Sequence, residues 1–206
     1  MYLKNSKIIV VKIGSSLLVD KNNKIRNKWF SSFAKDIKKL KSKNKEIIIV
    51  SSGAIALGCK KMGYDKAKLK LDKGQAVASV GQIELMNLFT KTFSKLNLNI
   101  SQILLTLDDT EERRRSINAK RTFENLFKLN YIPIVNENDT IATSEIKYGD
   151  NDRLASRVAQ INNADTLILL SDVDGLFTKN PKIFKDAKLI KKVENLDKDI
   201  RNINLK

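Results

Sequence analysis

Five short apolar runs, rich in β-branched residues, limit the fold more than anything else in this chain: residues 8–13, 47–50, 103–107, 132–135 and 167–170. Each is too short for a stable helix and nearly free of polar positions, apart from Lys12 in the first and Thr106 in the third. A strand without polar alternation has no face to give to water. It needs cover on both sides, which is the condition of a buried parallel sheet. Between the runs, apolar residues recur at helical spacing: Trp29, Phe33, Ile37 and Leu40, then Val77, Val80, Ile83 and Met86, then Phe123, Leu126 and Leu129, and finally Val158 and Ile161. Strand and helix in alternation predict βαβ units with right-handed crossovers. The expected class is α/β, a three-layer αβα sandwich around a mainly parallel central sheet, read as one domain over residues 1–206. At 206 residues such a chain buries roughly 70% of the surface that its unfolded form exposes. Residues 140–148 are polar and β-branched, and are read as a small hairpin at the sheet's carboxyl edge.

Two absences narrow the chemistry. The chain has no His, which excludes a Ser–His–Asp triad, a Cys–His pair and an imidazole proton shuttle. It has one Cys, Cys59, so it forms no intrachain disulfide and offers no cysteine cluster for a metal. A reducing, cytoplasmic setting fits, and no side chain is singled out as a metal ligand. Any catalysis must run on Lys, Asp, Asn, Ser and backbone amides. The formal charge of +16 raises a nucleic-acid partner. Most of that charge is scattered Lys, and Lys, Asn and Ile, all abundant here, share A/T-rich codons, so it is read as composition drift rather than as a binding patch. There is no apolar run of about 18 residues and no signal-peptide pattern at the start, so no membrane partner is expected.

In open parallel sheets ligands bind beyond the carboxyl ends of the strands. The first such turn is Lys12-Ile13-Gly14-Ser15-Ser16. A lysine near the end of a buried strand is costly without an anionic partner. Gly14 allows close backbone approach, and the amides of Ser15 and Ser16 can meet phosphate oxygens. The alternative is an edge strand with Lys12 reaching water. The second turn, Ser51-Ser52-Gly53-Ala54, opens a helix and suits a carboxylate or phosphate; its plainer reading is a serine N-cap. The third follows the fourth run: Asn136-Glu137-Asn138-Asp139-Thr140, then Lys147-Tyr148-Gly149-Asp150-Asn151-Asp152. Its carboxylates can hold an ammonium group, its amides can fix a carboxylate, and Asp152 can position a nearby lysine; the competing reading is a pair of Asx turns. The fourth turn, Ser171-Asp172-Val173-Asp174-Gly175, offers contacts to a nucleotide or is an ordinary Asp-Gly turn.

Taken together and in this order, the four turns resemble the amino acid kinase family, and residues 133–139 with 142–152 resemble its glutamate-phosphorylating members. The resemblance implies transfer of the γ-phosphoryl of ATP to the side-chain carboxylate of L-glutamate, with Mg²⁺ on the phosphates, in a homo-oligomer. It implies that Lys12 contacts the phosphates and stabilises the group in transit, with Gly14 and Ser15 beside it. Ser52, Gly53, Asp139 and Asn151 would bind glutamate. Asp152 would organise the catalytic lysine, and Ser171 and Asp172 would bind nucleotide. The family's Gly-Met-x-Thr-Lys loop with its second lysine is absent from residues 1–206, as is an accessory RNA-binding-like domain. The family's last strands are expected to be missing too, with residues 196–205 as the helix before the absent loop. Losing one transition-state cation typically costs on the order of 10²–10³ in rate. A non-catalytic ligand-binding or assembly module therefore stands as the alternative, with a kinase acting on another acceptor beside it.

Overall fold

The computed structural model describes residues 2–20, 24–65, 68–142 and 150–194. These fall into two compact units, residues 1–170 and 171–206.

The first unit holds a five-stranded sheet: β1 (Ile8–Ile13), β2 (Glu46–Ser51), β3 (Asn99–Leu105), β4 (Tyr131–Glu137) and β5 (Thr166–Leu170). The strands lie in the order β3-β4-β2-β1-β5, and every neighbouring pair is parallel. The helices are α1 (Tyr2–Asn5), α2 (Ser15–Leu18), α3 (Asn27–Lys41), α4 (Ala54–Met62), α5 (Leu71–Ser94), α6 (Leu107–Glu111), α7 (Arg113–Lys128) and α8 (Asp150–Ile161).

Side-chain alternation divides each inner strand between two cores. On one face Ile9, Val11 and Ile13 meet Ile47, Ile49, Ile132 and Ile134 under α3, α4 and α5. On the other, Val10, Ile48, Val50 and Val135 meet Phe123 of α7 and Leu154, Ala155 and Val158 of α8. This is the expected three-layer αβα sandwich. Phe30 of α3 meets Phe89 of α5 edge to face at 4.9 Å, a geometry worth about 0.5–1.5 kcal/mol beyond the area it buries.

One difference from the sequence reading has a physical cause. The third strand runs over Asn99–Leu105, not 103–107. It is an outer strand with one exposed side, so its first half alternates with polar residues and escapes a search for continuous apolar runs. It stops at Thr106, whose hydroxyl accepts the Asp109 amide while Asp109 accepts the Thr106 amide, a capping box that starts α6 at Leu107. The hairpin read over 140–148 falls mostly on residues 143–149, outside the described residues, as do residues 196–205; within the described part, the Ile141 and Ala142 amides donate to the Asn138 carbonyl. Arg113–Arg115 begin α7 with Glu112 as N-cap, and Arg115 pairs with Asp109 at 2.9 Å.

Two glycines let α4 and α5 touch backbone to backbone. A Cβ added at Gly81 would sit 1.7 Å from the Ala54 carbonyl oxygen, and one at Gly58 would sit 2.0 Å from that of Val77. Neither obstacle is a flexible side chain, so the helices would have to move apart.

The second unit is built from turns. The Thr178 amide bonds to the Lys188 carbonyl and the Ile190 amide to the Leu176 carbonyl. Lys179 pairs with Asp186 at 2.6 Å.

Gly81→Ala is expected to destabilise the protein by about 3 kcal/mol, the upper end of what overpacking costs. Ser79→Ala, two residues away on an exposed position, should change stability by under about 0.5 kcal/mol. Urea titrations of the two variants beside the parent check this.

Candidate active site

β1 lies between β2 and β5, so Lys12 is not on an edge strand. Alternation puts its side chain on the Val10 face, where α8 packs. There its Nζ meets Asp152 Oδ1 at 2.7 Å, with Lys12 12% and Asp152 47% exposed. The largely buried ammonium needs an anion. Asp152 is half in water, so the pair itself adds little stability, and its consequence is to hold the ammonium at the strand's exit. Gly14 has extended backbone and gives its N–H to the Leu170 carbonyl at 3.2 Å. A Cβ at Gly14 would lie 3.9 Å from Lys12 Nζ, so the glycine leaves the ammonium's flank uncovered. Ser15 and Ser16 follow in the first turn of α2, where backbone amides lack helical acceptors.

The end of β2 is tied to β1 by the Ser52 amide, which donates to the Ile13 carbonyl at 3.1 Å. Gly53 follows with φ +114°, a left-handed conformation costly for a residue with a Cβ, and α4 begins at Ala54. Over this turn lies Asn151, from the first turn of α8. Its amide nitrogen donates to Ser52 Oγ at 2.8 Å, to Asn136 Oδ1 at 3.1 Å and to the Ser51 carbonyl at 3.3 Å. Its Oδ1 is buried with no hydrogen-bond partner. A buried acceptor left unpaired costs about 1–3 kcal/mol, and a ligand's donor would remove that cost.

Asp139 stands three residues past Asn136. The segment after β4 is anchored by the Asn138 amide on the Leu105 carbonyl at 3.0 Å. Asp139 is 7% exposed, and burial pushes its carboxyl up to about 6 against the opposing bonds from Gln82 and its own backbone. It borders an open groove of about 370 Å³ between α5 and the ends of β3 and β4, with Gln82, Ile83, Leu104 and Glu137 also lining it.

The structure thus joins Lys12 to Asp152 and Ser52 to Asn151, and puts Asp139 on the strand exit that also carries Asn136. Ser171 and Asp172 belong to the second unit. There Lys182 bonds Asp172 at 2.9 Å and holds its carboxyl below the usual range. Asn136, whose oxygen receives Asn151, was read only as part of its turn, and two polar residues of α5 that hold the site, Gln75 and Gln82, were given no role from the sequence. The signal was present, since glutamines seven residues apart share one helix face. Among the described residues no three His, Cys, Asp or Glu side chains gather where a metal ion would fit.

Residues 7–202 match the family model described as the amino acid kinase family. The chain is 73% identical over its whole length to a protein of Pelagibacter ubique named glutamate 5-kinase, of which it covers 56%. It is 50% identical over 201 residues to the glutamate 5-kinase of Bartonella henselae, covering 53% of it. The chain therefore spans about half the length of the curated relatives it matches. Its fold resembles that of an isopentenyl phosphate kinase at a TM-score of 0.65 and 17% identity, over 95% of this chain and 84% of that one.

Because Asp139 titrates higher in the folded chain than its ordinary value of 3.8, its contribution to stability is complete below about pH 3.8 and is lost as pH rises through about 6. Asp139→Asn is expected to stabilise the ligand-free protein by on the order of 2 kcal/mol at pH 7.5, with the gain vanishing near pH 4. Urea midpoints at both values measure it. A gain independent of pH would contradict the reading.

Proposed function

Since the chain belongs to the amino acid kinase family, we propose that it binds ATP and L-glutamate at the carboxyl end of the sheet and transfers the γ-phosphoryl group to the glutamate side chain. The observation that carries this reading is the Lys12–Asp152 pair, 2.7 Å long at the exit of an inner strand. Identity of 73% to a relative named for this reaction supports the acceptor.

The glutamate carboxylate oxygen attacks the γ-phosphorus in line. The bond from that phosphorus to the β,γ-bridging oxygen breaks, and ADP leaves with the electron pair. The product is glutamyl 5-phosphate, an acyl phosphate at the first step of proline synthesis. The nucleophile has an ordinary pKa of about 4.3 and is ionised at neutral pH, so no general base is needed. A chain without His is adequate to the task. What remains is positioning and neutralisation of charge.

Lys12 is assigned to the γ-phosphoryl oxygens, oriented by Asp152, with Gly14 and Ser15 beside the phosphates. Ser52, Gly53, Asn151 and Asp139 are assigned to glutamate, Ser52 and Gly53 at its carboxylate end and Asp139 at its ammonium. Ser171 and Asp172 are assigned to the nucleotide. Mg²⁺ is proposed to arrive on the phosphate oxygens, its usual mode of binding, since the described residues offer no cage; when bound it offsets phosphate charge. A homo-oligomer and a cytoplasmic setting accompany the reading, which fits the single free Cys59. No helix among the described residues is long and apolar enough to cross a membrane.

Calorimetry with glutamate and a nonhydrolysable ATP analogue tests the proposal. Both ligands are expected to bind. Lys12→Met should weaken the analogue by on the order of tenfold, the loss of one charge-assisted contact, and leave glutamate affinity unchanged. Trapping with hydroxylamine should show hydroxamate falling on the order of 10²–10³ in the same variant. Absence of glutamate binding by folded protein overturns the acceptor assignment, and binding without hydroxamate marks a ligand-binding chain rather than a catalyst.

A further inference from the structure

Two consecutive residues of α5 hold the two ligand-facing turns. Gly81 lies against the Ala54 carbonyl, the first residue of the helix that follows Ser52 and Gly53. Gln82 reaches the other turn. Its Nε2 donates to the Glu137 carbonyl at 3.2 Å and to Asp139 Oδ2 at 3.5 Å. Two helical turns earlier, Gln75 donates to the Ala142 carbonyl at 3.0 Å. The segment from Glu137 to Ala142 is therefore gripped at both ends by one face of α5.

The Gln82 amide makes these contacts with its nitrogen alone, and its Oε1 is buried without a partner. Met or Leu would fill the same space with no orphaned acceptor, so packing does not explain a glutamine here. The two bonds from its nitrogen do, one to the Glu137 carbonyl and one to Asp139. A carboxylate 7% exposed at the border of a groove, with no cation bonded to it among the described residues, receives an ammonium well only if its oxygens are aimed. We propose that Gln82 is the positioning residue that aims the Asp139 carboxylate at the acceptor's ammonium, so that α5 ties the geometry of the Ser52 turn to that of Asp139. The identity of that ammonium rests on the glutamate reading above.

The test uses Gln82→Met in the full chain, with two readouts. Carboxyl ¹³C NMR follows the titration of Asp139 without ligand. The other ionisable side chain lining the groove is Glu137, so both carboxyls are assigned. Loss of the Gln82 bond should move the Asp139 midpoint above its parent value of about 6. At pH 7.5 calorimetry should show glutamate weakened on the order of tenfold and the ATP analogue unchanged. Gln82→Glu keeps the length but removes the amide donor, and serves where the Met variant does not fold; it should raise the midpoint as well. An unmoved midpoint with unchanged glutamate affinity in a folded variant overturns the role of Gln82. A parent chain that binds no glutamate, yet whose Asp139 midpoint moves with Gln82, overturns the acceptor assignment alone.

Discussion

An ammonium group on an inner strand of a parallel sheet has to find an anion, and that need organises the carboxyl end of this molecule. Lys12 occupies a position where the rest of β1 is Ile or Val. Water reaches only a little of it, and the partner it finds, Asp152, comes from the first turn of the helix that covers the same face. The neighbouring residue of α8, Asn151, bonds the turn after β2 and the end of β4. One helix start thus ties the exits of β1, β2 and β4 together through two adjacent side chains. The pair lends the fold little energy; it fixes a cation where three strand ends converge.

The opposite side of the sheet supplies rigidity by a different device. Backbone contact between α4 and α5 at Gly58 and Gly81 leaves little freedom for the Ser52–Gly53 turn that precedes α4. The same helix α5 grips the segment after β4 through Gln75 and Gln82. One helix, α5, therefore holds both the turn after β2 and the segment after β4. Phosphoryl transfer asks a protein for this kind of fixed placement more than for proton chemistry, and the lack of His is no handicap under that reading.

Much of the fold was legible because burial writes itself as pattern. Four of the five strands appear as apolar runs, and α3 and α7 as helical periodicity. The third strand was misplaced because its outer position lets polar residues alternate through Asn99–Gln102, and α6 was missed because a five-residue helix set by a capping box has no period to detect. At the site, Lys12 could be marked from the cost of its burial, and Ser52, Asp139 and Asn151 from the chemistry of their turns. What could not be read was which of these residues meet. The Asn136–Asn151 contact, the burial that raises Asp139 and the glycine contact between α4 and α5 depend on how elements cross, which local spacing does not encode.

Lys12, held by Asp152, is the cation we propose is presented to the phosphates of a nucleotide. Nitrogen-detected NMR of the lysine ammonium groups addresses it directly, with Lys12 assigned by its loss in Lys12→Met. A nonhydrolysable ATP analogue at saturation should shift the Lys12 Nζ resonance while leaving those of exposed lysines such as Lys39 in place. A Lys12 resonance that stays fixed while the analogue demonstrably binds would contradict the account.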